Sequence, residues 1–202
     1  MDWIPILTAL EKRGFRARAF ATAGEAKTYL LEALAGCPNV GIGGSVTVRD
    51  IALSASLRER GHTVHWHWEA EPEARARALR LALDADAYLC SANALLQDGR
   101  IVQIDGTGNR LAALCYGPPK VFLVVGQNKL VDGGLPAGIA RIKSKACPPN
   151  ARRLNLETPC ARTGACNEEA CGRVTCRLTL ALEAPPNGRE VEVLLVSEDL
   201  GY

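Results

Sequence analysis

Charge of one sign is what this 202-residue chain has least to spare: 24 basic residues meet 22 acidic ones, a formal net charge of +2. That balance excludes the broad basic field of a nucleic-acid-binding surface. Long apolar runs are also missing. None approaches the roughly 18–20 residues that a membrane span needs, so no span is expected. The first residues, Met1-Asp2-Trp3-Ile4-Pro5, lack the basic flank and long apolar stretch of a secretory signal, and a cytoplasmic location is expected. In that compartment thiols stay reduced, which disfavours a disulfide framework for the eight cysteines. Internal repeats and low-complexity tracts are absent. So are the Walker phosphate loop, the Gly-x-Gly-x-x-Gly fingerprint, the nucleophile elbow, a Ser-His-Asp order and His-Glu-x-x-His. The common hydrolase, nucleotide-binding and zinc-protease chemistries lose their usual sequence support.

What remains is a regular alternation. Trp3, Ile4, Leu7 and Leu10 follow a helical period that Gly14 ends, and Arg16–Ala21 reads as a strand. Thr22 with Glu25 three residues on forms a capping box for a helix that stops at Gly36. Val40–Ile42 is a short strand running into Gly43-Gly44-Ser45, and one helix follows through Ile51, Leu53 and Leu57 to Gly61. His62–Trp68 alternates as a strand, Glu71–Leu83 is a helix, and Ala87–Cys90 is a buried strand. Asp98-Gly99 marks a hairpin between Ala94–Gln97 and Arg100–Ile104. A helix from Gly106–Asn109 to Leu114, the apolar strand Val121–Gly126 and a helix over Leu135–Lys145 complete the pattern. These elements predict an α/β domain over residues 1–146, a mostly parallel sheet flanked by helices. Cys147-Pro148-Pro149-Asn150 is expected to break the pattern. Residues 147–202 then form a Cys-rich loop and a β-hairpin of Val174–Glu183 with Glu190–Val196 around Pro185-Pro186-Asn187-Gly188, an appendage laid on the same domain.

Several loops carry more functional groups than a turn requires. Gly41-Ile42-Gly43-Gly44-Ser45 sits at a strand-to-helix junction, where backbone N–H groups can approach an anion. Ser45 either caps the helix or meets the ligand. Asp105-Gly106-Thr107-Gly108-Asn109-Arg110 gathers a carboxylate, a hydroxyl, an amide and a guanidinium at another helix start. Arg110 is suited to bidentate pairing with a carboxylate or phosphate, and Asp105 to orienting a hydroxyl, acting as a base or holding Arg110. Lys129, in Gly126-Gln127-Asn128-Lys129, follows the most apolar strand and offers an anion contact or a solvated surface charge. His65 and His67 share a strand face without a third ligand nearby, and Cys90 reads as a small buried apolar residue.

The thiols divide into two groups. Cys37, Cys90, Cys115 and Cys147 are scattered, whereas Cys160, Cys166, Cys171 and Cys176 fall in one turn-rich segment. Four soft ligands that close together suit zinc or iron–sulfur iron, although no Cys-x-x-Cys knuckle decides between a metal and disulfides.

Taken in order, Gly43-Gly44-Ser45, Ser91-Ala92-Asn93-Ala94, Asp98–Val102, Asp105–Arg110, Gly126–Lys129, Asn150–Asn155, Thr158-Pro159-Cys160, Thr163–Cys166 and the closing Glu198–Tyr202 resemble the short form of the LUD-domain family, the lactate-utilisation proteins, over roughly residues 38–202. The resemblance implies a fold akin to the sugar-phosphate isomerase and CoA-transferase group (NagB/RpiA-like). It also implies a role in lactate or related organic-acid oxidation alongside iron–sulfur oxidoreductase subunits. One departure stands out. The family pattern places the third tail thiol three residues after the second, but position 169 is glutamate here and the thiol is Cys171.

The leading expectation is a redox-associated protein. Gly43, Gly44, Ser45, Thr107, Gly108, Asn109 and Lys129, with Asp105 and Arg110, would bind a small anionic metabolite. Cys160, Cys166, Cys171 and Cys176 would hold a [4Fe–4S] cluster. Two others stand beside it: an isomerase or transferase with Asp105 as general base, Arg110 as anion clamp and a structural zinc; and a non-catalytic subunit docking through its tail. Oligomerisation is left open.

Overall fold

The computed structural model describes residues 1–172 and 174–202. Six parallel strands form the main sheet: β1 (Arg16–Phe20), β2 (Asn39–Ile42), β3 (Thr63–Trp66), β4 (Ala87–Cys90), β7 (Lys120–Gly126) and β10 (Glu190–Val196), in the spatial order β1-β10-β7-β4-β2-β3. The central strands are apolar on both faces, as a helix-covered parallel sheet requires. In β7, Val121, Leu123 and Val125 face one side with Ile6 and Leu10 of α1 (Ile4–Lys12), Trp3 just before that helix, Ala82 of α5 (Arg75–Leu83), and Ala113 and Leu114 of α6 (Asn109–Tyr116). Phe122 and Val124 face the other, with Leu30 of α2 (Ala23–Ala33), Val48 of α3 (Val46–Asp50) and Leu53 and Leu57 of α4 (Leu53–Glu59). Gly41 lets β2 and α5 approach: a Cβ there would stand 2.4 Å from the Ala82 carbonyl oxygen. The helix-flanked, mostly parallel sheet is the fold that the alternation predicts.

A second sheet has the order β8-β5-β6-β9, built from β5 (Ala94–Leu96), β6 (Ile101–Asp105), β8 (Leu130–Val131) and β9 (Leu178–Leu182). Gly99, at φ +85°, turns the antiparallel β5–β6 hairpin expected at Asp98-Gly99. A third apolar cluster joins this sheet to α7 (Leu135–Arg141) and the segment after it through Ala94, Leu96, Val102 and Ile142.

Three expectations are corrected. The C-terminal hairpin does not form: β9 pairs antiparallel with β6, whereas β10 enters the main sheet between β1 and β7, parallel to both. This strand is part of the sheet interior rather than an appendage laid against it. Burial explains the choice, since Val191, Val193, Leu194, Leu195 and Val196 are all inaccessible and a two-stranded hairpin would leave one face of them wet. Cys147-Pro148-Pro149 does not end the helical run either. After α7 the helix widens to a π-turn over Ile142–Ala146 and continues as α8 (Cys147–Arg153), with Pro148 and Pro149 directly after the widened turn. Finally, the helix expected from Ser45 to Gly61 divides at Ala52, whose φ of +49° breaks it into α3 and α4.

Candidate functional site

The carboxyl ends of β2, β3, β4 and β7 open on one side of the sheet. Between β2 and β4 the chain reverses its direction of travel, with β2 leading outward to β3 and β4 leading back to β7. Ligands of open α/β sheets sit at such a reversal. A cavity of about 410 Å³ lies there, lined by Gly44 and Ser45 after β2, His67 and Trp68 after β3, Ser91 after β4, Lys129 after β7 and Asp105–Thr107, Asn109 and Arg110 after β6. Residues drawn from at least five separated stretches of sequence therefore share one cavity. Of the expected set, Gly43 and Gly108 support the loops without lining it.

Lys129 is the most constrained of these groups. It is 3% exposed, and its Nζ donates to Thr47 Oγ1 and to Ser91 Oγ, each at 2.7 Å. Both hydroxyls pass their own protons on to main-chain carbonyls, Thr47 to Leu200 and Ser91 to Val124. Their lone pairs must then face the lysine. An ammonium has three N–H groups, so one remains after these two bonds. Burial, reinforced by the charges of Arg141 and Arg110, lowers the Lys129 pKa to about 7. An anion in the cavity would offset that penalty.

The surrounding loops are held from below. Gln103, fully buried, donates to Ser91 O and accepts from Asn93 N. Asn93 Oδ1 accepts from Ile104 N and from Arg110 Nη2. Arg141 donates to the carbonyls of Asn93, Asn128 and Tyr202, binding the closing segment Leu200–Tyr202 to the cavity rim.

Ser45 resolves as a cap: its Oγ accepts from Val48 N and starts α3. Asp105 uses Oδ1 to accept from Thr107 N and Gly108 N, while Oδ2 lies 3.5 Å from Arg110 Nε. Both oxygens are thus engaged, and the carboxylate organises the turn and Arg110. Arg110 also donates to Ile104 O at 2.8 Å.

Sequence reasoning missed several wall residues. Arg153 stacks its guanidinium 4.4 Å from the Trp68 ring centroid and bonds Asn150 Oδ1, with its Nε buried and unpartnered. His67 does not share a site with His65. It lines the cavity with Nδ1 buried and unpartnered, and its pKa is lowered chiefly by burial. Asn150–Asn155, a motif carried by the resemblance, was the available signal for Arg153; Thr47 and Arg141 had none, because their roles depend on contacts far away in sequence. Among the described residues the wall is cationic: Lys129, Arg110, Arg153 and Arg177 line it against one carboxylate side chain, that of Asp105.

The cysteine segment is arranged differently. Thr158 caps the short α9 (Pro159–Thr163) and Asn167 caps α10 (Glu168–Cys171). Cys160 is buried beside the Thr158 hydroxyl, Cys166 is exposed, and Cys171 and Cys176 are half-buried. Among the described residues, no group of three or more His, Cys, Asp or Glu side chains is gathered to hold a metal ion. Cys176 instead meets Cys147, a thiol outside the expected set, at 3.3 Å.

No helix among the described residues is long and apolar enough to cross a membrane. No curated protein matches the chain. A solved structure described as a DUF162 family protein from Deinococcus radiodurans is similar over 97% of this chain and 99% of its own, with 16% identity and a TM-score of 0.54, which supports the fold alone. The model of the LUD domain matches residues 6–196, from α1 to the last strand of the main sheet. The chain accordingly belongs to the LUD-domain family.

Proposed function

We propose that this protein binds a small carboxylate- or phosphate-bearing metabolite in the cationic crevice and serves lactate or related organic-acid oxidation. Family membership supports a lactate-utilisation-like role. The observation that carries the ligand class is Lys129: a buried ammonium with two hydroxyl acceptors and one N–H left for an anion, in a cavity whose other charged walls are mostly arginine. Burying such a charge without a partner is costly, and an anionic ligand supplies the partner. Arg110, fixed by Asn93 and Asp105, and Arg153, fixed on Trp68, add two guanidinium groups to the wall. Asp105 acts in this reading by orienting Arg110 rather than by taking a proton.

The test is calorimetric titration of the full chain with L-lactate, pyruvate, other short 2-hydroxy and 2-oxo acids, and sulfate. Saturable binding of at least one organic acid, lost in Lys129→Met, supports the reading. Binding that is indifferent to that substitution, or none across the series, overturns it.

A [4Fe–4S] cluster or zinc on Cys160, Cys166, Cys171 and Cys176 remains a separate proposal, supported by the concentration of thiols. It requires the loop to close further than it does here. Iron, zinc and sulfide content of anaerobically purified protein tests it; stoichiometric metal that is lost in Cys166→Ser is the supporting result, and metal-free protein the opposing one.

A further inference from the structure

Cys147 and Cys176 are 29 positions apart, one opening α8 and the other preceding β9, yet their sulfurs stand 3.3 Å from each other. A disulfide bond is about 2.05 Å long, so joining them asks for an approach of about 1.3 Å. Both residues line the crevice, Cys176 on the stretch Val174–Arg177 and Cys147 on the helix that also carries Asn150 and Arg153. Their accessibility differs: Cys147 is buried, while Cys176 is half-buried. We propose that Cys147 and Cys176 form a reversible dithiol–disulfide site that draws the 174–177 wall toward α8 and narrows the crevice.

The oxidant is a low-molecular-weight disulfide, RSSR. Cys176, the thiol that solvent reaches, loses its proton and attacks one sulfur of RSSR; an RS⁻ leaves and takes up that proton. The Cys147 thiolate then attacks the Cys176 sulfur of the mixed disulfide, and a second RS⁻ leaves with the Cys147 proton. Two protein thiols lose two electrons and two protons, and RSSR becomes two RSH. The consequence for ligands rests on the crevice reading above, whereas the bond itself does not. A metal held through Cys176 would compete with it.

The full chain, with its metal content measured, is incubated with glutathione disulfide, alkylated and mapped by peptide mass. The expected result is a linked peptide joining Cys147 to Cys176, reversed by dithiothreitol. It comes with a melting temperature that rises in the wild-type chain but not in Cys147→Ser or Cys176→Ser, because the cross-link restricts the unfolded chain. Sulfate affinity of the oxidised protein should fall by about fivefold or more. Free, alkylatable Cys147 and Cys176 after oxidation, a link from Cys176 to Cys160, Cys166 or Cys171, or a stoichiometric metal protecting Cys176 each overturns the proposal. A mapped bond with unchanged sulfate affinity removes the gating. If neither redox state binds sulfate while the bond maps as expected, the crevice reading is what fails.

Discussion

The crevice floor and the cysteine segment answer the same requirement, holding functional groups in place, by opposite means. Under the floor lie the main sheet and Gln103, and Lys129 is held by Thr47 and Ser91, whose hydroxyls in turn bond Leu200 O and Val124 O, partners that reach in from other parts of the chain. In the cysteine segment the helices have five and four residues, their caps are local, and most of the surface between Ala161 and Cys171 is wet. The floor's geometry is enforced by the core. The segment's geometry is enforced by a few contacts; Cys147–Cys176, the Lys143–Glu168 ion pair and the bond from Arg152 Nε to Ala161 O are among those that reach outside it. A preformed anion site needs the first kind of support, and a wall that moves with redox state needs the second.

Substitutions on the two sides should separate accordingly. The largest loss is expected for Gly41→Ala, which puts a Cβ 2.4 Å from a main-chain oxygen of α5. Neither backbone can yield cheaply, so chemical denaturation should show a loss of about 3 kcal/mol. A value near zero would mean that the sheet under the crevice is more pliable than described.

Lys129→Met should come next and act on binding rather than folding. Thr47 and Ser91 keep their bonds to Leu200 O and Val124 O, so the variant should fold. Affinity for sulfate should drop by about 100-fold, about 2.7 kcal/mol, as expected for loss of one charged hydrogen bond in a buried site.

The third effect depends on pH. The folded-state pKa of Lys129, about 7, lies below the ordinary lysine value of 10.5. Between those values the unfolded chain binds the proton more tightly, so stability rises with pH. Below pH 7 both states are protonated and the full cost of the buried charge is present. Wild-type melting temperature, measured against Lys129→Met, should therefore improve as pH rises from about 7 toward 10. A constant difference would mean that Lys129 does not titrate in that range.

The smallest effect is expected at Cys171→Ser. Cys171 is half-buried at the end of a four-residue helix, and its replacement should change stability by less than about 0.5 kcal/mol. A larger loss would show that the loop is held by that thiol after all.

What could be read from the sequence follows the same division. Elements fixed by local pattern were legible: the Thr22 cap, the Asp98-Gly99 hairpin and the β–α alternation through α7. The Gly-rich loop, the Asp105–Arg110 loop and Lys129 were each visible as candidates, because strand ends carry ligands in open α/β sheets. That Lys129 is buried was not visible, since Thr47 lies 82 positions away and Ser91 38. The strand β10 was misplaced because a Pro-Pro-Asn-Gly turn between two apolar runs signals a hairpin whether the second run stays in its sheet or crosses to another. The near-continuous apolar run Val191–Val196, broken only by Glu192, was the signature of a central parallel strand. Cys147 was read as scattered because its partner is brought near by the helical run continuing through the π-turn, which the two prolines argued against.

The most direct test of the crevice is the affinity of sulfate for the full chain, measured by calorimetry between pH 5.5 and 9.5 in wild type and Lys129→Met. Sulfate keeps its charge over that range, so any titration belongs to the protein. Strong wild-type binding that weakens as pH rises past the Lys129 transition, with weak and nearly flat binding in the variant, is the predicted result. Equal affinities in the two proteins at every pH would contradict the claim that the buried ammonium of Lys129 is the anion's anchor.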